Sequence, residues 1–195
     1  MATPTDPPPI LETDRLLVRN WLERDRDLFF EINSDETVMR YFPMRRSRKE
    51  SDTLFDYIQS LIAETGLGFY ALELKETGET IGFCGLARTN LAPHIPLGQV
   101  EIGWRLATRF WGQGFISEAA TALLAYGFKT HGLKEIVAFA VPDNIRSTAV
   151  MERIGMRRDN QAEFNHPRVP DDRSHLRRHV LYRLTAEEWR ARGGG

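Results

Sequence analysis

The sequence has a single cysteine, Cys84, so an internal disulfide or a cysteine zinc cluster is impossible. That cysteine sits in the apolar run 81–86, where a buried, inert thiol is the default. An excess of one charge sign is also lacking. The 26 Lys and Arg against 27 Asp and Glu leave a net charge of −1, which gives no reason to expect nucleic acid as a partner. Two basic clusters, 45–49 and 173–179, read as solvated faces or helix termini. No basic segment followed by an apolar stretch opens the chain, and no window is long enough to span a bilayer. The expectation is a cytoplasmic protein without a membrane partner. Internal repeats and long linkers are missing too. His94, His131, His166, His175 and His179 show no metal-ligand spacing, so no metal is expected.

What is present suffices for one domain. The chain has 195 residues, of which 42% are hydrophobic, enough for a sizeable core. Residues 1–9, rich in proline, read as an extended or disordered leader, and the glycines at 193–195 as a flexible tail. Alternation and turn signals predict strands over 11–21, 68–74, 80–86, 99–106, 135–141, 156–160 and 179–184. Helical spacing predicts helices over 25–32, 47–62 and 116–129. A further helix is capped by Asp143 or Asn144 and ended by Gly155, and a last one opens at Thr185. Hairpins come first and a βαβ crossover follows. The fold class is α/β, a mixed α+β sheet with helices on both faces.

The stretch 109–120 carries the chemistry. A predicted strand runs into it, a predicted helix runs out, and Gly112 and Gly114 sit at the junction. Such a turn aims backbone N–H groups at one point beside the positive end of a helix dipole, which suits an anion. A P-loop would need Lys and then Ser or Thr after the last glycine, whereas Phe115 and Ile116 follow Gly114. A dinucleotide fingerprint would need a third glycine where Ser117 stands.

Arg109-x-x-Gly112-x-Gly114 resembles the Arg/Gln-x-x-Gly-x-Gly/Ala signature of the GCN5-related N-acetyltransferases, the GNAT superfamily. Residues 101–106 and 111–119 are similar in particular to the branch containing ribosomal-protein N-terminal acetyltransferases. Residues 11–19 resemble that branch's opening strand, and residues 144–156 its Asn-x-x-Ser helix.

The resemblance implies a mostly antiparallel sheet with one splayed parallel strand pair, and acetyl-CoA as cosubstrate. Backbone groups of Trp111, Gly112, Gln113, Gly114, Phe115 and Ile116 are then expected at the pyrophosphate, with Arg109 adding charge. Main-chain groups of Trp104 and Leu106 would pair with the pantetheine arm, and Asn144 would touch it or cap its helix. A substrate amine attacks the thioester directly, so Glu101 is the candidate base, acting through water. Substrate binding and a structural ion pair remain open for it. Many family members place a tyrosine where this chain has Met151, so the usual proton donor to the thiolate is missing. Ser147 is the nearest polar alternative and Tyr182 a remote one. The acceptor is a peptide N-terminus or a small-molecule amine, drawn in by Asp35, Glu36 and Glu101. A homodimer stays open, as does a non-catalytic acetyl-CoA-binding module.

Overall fold

The computed structural model describes residues 7–193; residues 1–6 of the expected leader and 194–195 of the expected tail lie outside the described residues. Its strands are β1 (Leu11–Glu12), β2 (Leu16–Arg19), β3 (Phe69–Leu74), β4 (Thr80–Arg88), β5 (Val100–Leu106), β6 (Glu135–Ala140), β7 (Arg157–Asn165) and β8 (Arg178–Thr185). Its helices are α1 (Arg26–Ser34), α2 (Arg48–Thr65), α3 (Phe115–Lys129), α4 (Ile145–Arg153) and α5 (Ala186–Ala191). The strands form one sheet in the order β1-β2-β3-β4-β5-β6-β8-β7. Within it β5 and β6 run parallel and the other neighbours antiparallel.

Local signals set the helix ends. Ser47 and Glu50 close a reciprocal capping box at the start of α2, and Gly66, at φ 70°, ends that helix. Thr185 and Glu188 do the same for α5. The single strand expected over 11–21 is instead a hairpin of β1 and β2. Leu16 N–H donates to Thr13 Oγ1 at 3.0 Å and turns the chain between them. The strand expected over 156–160 runs on to Asn165, because a register shift between Asp159 and Phe164 lets its polar middle bow away from β8.

Strand parity separates two layers. Trp21 packs on Phe29 of α1, Phe55 of α2 and Phe83 of β4, with ring centroids 4.9, 5.6 and 6.4 Å away. Leu86, of opposite parity to Phe83, lies against Gly127 of α3 together with Ile136. Helices α1 and α2 therefore cover one face and α3 the other. Trp189 of α5 packs on Phe128, and Arg153 of α4 reaches Ser117, so α4 and α5 join α3. On the α1–α2 face a second apolar cluster of Leu91, Ile95, Val137, Phe164 and Leu181 covers the far strands. Glu101 is level with Val137 and shares this face.

One buried ion pair ties the first hairpin to α1. Arg19 Nη1 and Nη2 meet Asp25 Oδ2 and Oδ1 at 2.6 and 3.0 Å, with side-chain exposures of 4% and 2%. Thr80 Oγ1 and Leu22 N–H also donate to Asp25. Burial pushes the Asp25 carboxyl up, but Arg19, Leu22 and Thr80 outweigh it and hold it below the usual range. Asp25→Ala leaves the buried Arg19 guanidinium with Glu73 alone, at 2.8 Å, and should cost about 3 kcal/mol in urea unfolding at pH 7. A folded-state value below the unfolded one means that Asp25's contribution exists above the ordinary aspartate range. It vanishes as pH falls through the folded value, so the variant and the parent should converge in acid.

Candidate active site

The loop after β5 makes a short 3₁₀ turn, Thr108–Phe110, and enters α3 through two glycines. Gly112 has φ 77° and Gly114 φ 82°. Open space surrounds a Cβ built at Gly112, so conformation and not crowding demands glycine there. Gly114 is the N-cap of α3 and has no side chain to bond the first amides. The opening N–H groups of a 15-residue helix are thus left for a guest.

Arg15 fixes this loop from below. Its Nε meets Glu118 Oε2 at 2.6 Å, its N–H donates to Glu118 Oε1, and its Nη1 donates to the Gln113 carbonyl at 3.0 Å. The same guanidinium lies 4.5 Å from the Phe115 ring centroid. Arg109 is turned elsewhere, pairing with Glu31 at 2.5 Å and Glu79 at 3.4 Å. The charge expected from Arg109 at the loop is therefore committed to α1 and the β3–β4 hairpin. Arg146 stands 4.5 Å over Trp111, and Arg153 donates to Ser117.

Beside the loop β5 has an open edge. It pairs with β4 over seven residues, 100–106, but with β6 only at Val100↔Ile136 and Glu101↔Val137. The bonds Ala107 N→Ile81 O and Thr89 N→Gln99 O fix the phase of the β4–β5 ladder. Odd-numbered residues of β5 bond β4, so Ile102, Trp104 and Leu106 turn their main-chain groups toward β6. There β6 has diverged. The Leu106 carbonyl is taken by the Trp111 indole N–H at 2.9 Å. The main-chain groups of Trp104 and the N–H of Leu106 still face the gap.

Glu101 lies where the parallel ladder ends, on the α1–α2 face. Its carboxylate makes no hydrogen bond or ion pair with the described residues. Burial pushes its carboxyl up to about 7, and Arg168 opposes this only in part.

The family model for the acetyltransferase (GNAT) domain matches residues 15–157. The chain belongs to the GNAT acetyltransferase family. Two relatives from Bacillus subtilis are similar to it. Uncharacterized protein YkkB is 33% identical over 75% of this chain and 84% of its own. Uncharacterized N-acetyltransferase YoaA is 30% identical over 77% of this chain and 84% of its own. A solved GNAT-family acetyltransferase from Bacillus anthracis superposes with a TM-score of 0.74 at 27% identity, covering 91% of this chain and 99% of that one. The reaction class of a GNAT enzyme is acyl transfer from acetyl-CoA to an amine.

The remaining residues of this GNAT chain sort by what holds them. Asn144 Oδ1 accepts the Ser147 N–H at 3.3 Å and caps α4, so its capping role is present. The Ser147 hydroxyl makes no hydrogen bond among the described residues. Met151 is a core residue, 2% exposed. The Tyr182 hydroxyl donates to Glu152 at 3.0 Å, and burial raises it further, so it is a poor proton source. Cys84 is buried, and burial pushes its thiol well up. Asp35 accepts the Val38 N–H and Glu36 pairs with Arg45 at 3.6 Å; both acidic groups serve the α1–α2 connection. His166 and His179 lie 4.9 Å apart, tilted at 41°, within an aromatic group around Phe139 and Phe164. Among the described residues no three His, Cys, Asp or Glu side chains gather as a metal group, and no helix is long and apolar enough to cross a membrane.

Sequence reasoning missed Arg15 and Arg105. The first falls within the opening-strand motif, 11–19. The second gave no signal, because nothing in its neighbours announces a guanidinium without a carboxylate. A titration consequence follows from Glu101. Its folded-state value lies above the unfolded one, so its ionisation destabilises the fold between about pH 4.5 and 7. Glu101→Gln should be more thermostable than the parent at pH 8 and lose that advantage at pH 4, as read by thermal melts.

Proposed function

We propose that this chain transfers the acetyl group of acetyl-CoA to a primary amine, of a peptide N-terminus or a small molecule, entering beside Glu101. One observation carries this reading. The open main-chain edge of β5 leads straight into an uncapped helix N-terminus. An extended arm with an anionic end fits such a surface, with amide pairing along the strand and oxygens at the helix amides. Trp104 and Leu106 would hold the pantetheine arm. The backbone from Trp111 to Ile116 would hold the pyrophosphate, and Asn144 would contact the pantetheine arm.

Acetyl-CoA supplies an activated acetyl thioester. The chain's own part is to handle protons. An ammonium has no lone pair, and Glu101, unpartnered and with its carboxyl pushed up to about 7, is suited to take its proton, directly or through water. Ser147, whose hydroxyl has no hydrogen-bond partner among the described residues, is the donor available to a departing thiolate. Hydrogen bonding there is enough, since a serine hydroxyl is a weak acid.

Gly114→Glu places a carboxylate at the helix N-terminus and at a left-handed φ, with about 1–2 kcal/mol of strain. It should abolish acetyl-CoA binding by calorimetry while the circular dichroism spectrum persists. Glu101→Gln should lower kcat by about 10²- to 10⁴-fold with acetyl-CoA affinity unchanged. In the parent, kcat/KM should rise with pH and level off above about 7, as Glu101 ionises. A pH-independent rate would remove Glu101 from the role of base. Steady thiol release with any amine excludes the non-catalytic reading that Met151 suggests, and a mass-spectrometric acceptor screen identifies the amine.

A further inference from the structure

Arg105 stands on β5 four residues beyond Glu101 and on the same face, about 13 Å along the strand. Its guanidinium is sandwiched by Phe42 and Phe83, at 4.3 and 5.3 Å from the ring centroids. Nη1 donates to Asn33 Oδ1. Asn33 is wholly buried, and its Nδ2 donates to the Phe29 carbonyl, which fixes that oxygen toward Arg105. Nε is sealed from solvent and has no partner. No carboxylate pairs with Arg105 among the described residues, whereas Arg15, Arg19, Arg26, Arg109 and Arg183 each have one. Burial, then the nearby Arg46, pulls its pKa down to about 9.

A desolvated cation without a counter-charge is unfavourable, and ring stacking relieves it only in part. Arg46 adds to the positive field, with its N–H bonded to the Asn33 carbonyl at 2.9 Å. Glu50, a carboxylate that senses Arg46, is engaged by the N–H and hydroxyl of Ser47. The rim above is apolar, with Phe42 42% and Met44 52% exposed. The connection that bears both residues is strapped across by Tyr41, whose hydroxyl donates to the Asp143 carbonyl at 2.9 Å, beyond the open strand gap. The aromatic and Asn33 contacts thus hold Arg105 on the sheet face that also carries Glu101.

We infer that the acetyl acceptor is an amine that carries its own oxyanion, a carboxylate or a phosphate, and that Arg105 is the residue that receives it. The inference rests on the acetyl-transfer reading of the same sheet face. It makes Arg105 a specificity-determining residue, with Glu101 addressing the amine end and Arg105 the anionic end.

Matched acceptors test this on the acetyl-CoA-saturated enzyme: phosphoethanolamine against ethanolamine, alanine against alaninamide, and an Ala-Asp peptide against its Ala-Asn twin. The charged member of at least one pair should be preferred by about tenfold or more in kcat/KM, mostly through KM. The pair that discriminates identifies the source of the anion. Arg105→Gln should erase the preference with acetyl-CoA affinity intact, and Arg105→Lys should retain part of it. Arg46→Gln, which leaves the sandwich in place, should weaken it. Equal rates within every pair, or a preference that survives Arg105→Gln, overturns the inference. A binding arm needs no turnover. Inorganic phosphate titrated into the acetyl-CoA-saturated protein should bind the parent and not Arg105→Gln. If no amine is acetylated but phosphate still binds through Arg105, the transfer reading fails and the anion site stands. If phosphate binding is absent or unaffected by the substitution, the anion site fails.

Discussion

The structure turns on a backbone constraint: β5 is held by β4 along its whole length and by β6 at only two positions. Main-chain amides and carbonyls away from water need partners, and here one strand edge is denied its neighbour. The divergence leaves a slot with the polarity of a missing strand. Everything else in the site stands in relation to that slot. The glycine turn lies at one end of it, Glu101 at the point where pairing stops, and α4 opens beyond β6.

A slot of this kind needs rigid walls, and the first hairpin supplies one of them. Glu118 sits in the first turn of α3, where its charge also suits the helix dipole. Burial pushes its carboxyl up, but Thr13 and Arg15 more than offset that and keep it ionised. The Arg15–Glu118 contact therefore pins the start of α3 to a turn about a hundred residues earlier in the chain and orients the Gln113 carbonyl in passing. Arg19 and Asp25 continue the same tie into α1. Residues far from the chemistry in sequence thus set the aim of the helix amides.

Most elements were legible because their signals are local. The helical spacing of 47–62, the alternation of 99–106 and the Gly112–Gly114 junction each act within a few residues, and α2, β5 and the turn into α3 lie there. The Thr13–Arg15 turn was hidden because a threonine hydroxyl makes it, without glycine or proline. The second half of β7 was hidden because its residues are polar and its ladder is interrupted. Side-chain direction was the other blind spot. Arg109 stands within the signature, yet its guanidinium goes to Glu31 and Glu79, partners 78 and 30 residues away. Arg105 was passed over for the opposite reason, since an unmet charge is visible only when its surroundings are known. The rise of Glu101 toward neutrality likewise depends on burial that no single strand pattern encodes.

The indole of Trp111 covers the carbonyl of Leu106 and leaves the amide of the same residue uncovered. The strand edge nearest the glycine turn is consequently lopsided, donor without acceptor. At Leu106 the edge therefore offers an amide and withholds a carbonyl. One tryptophan ring thereby makes the two ends of the strand edge chemically unlike.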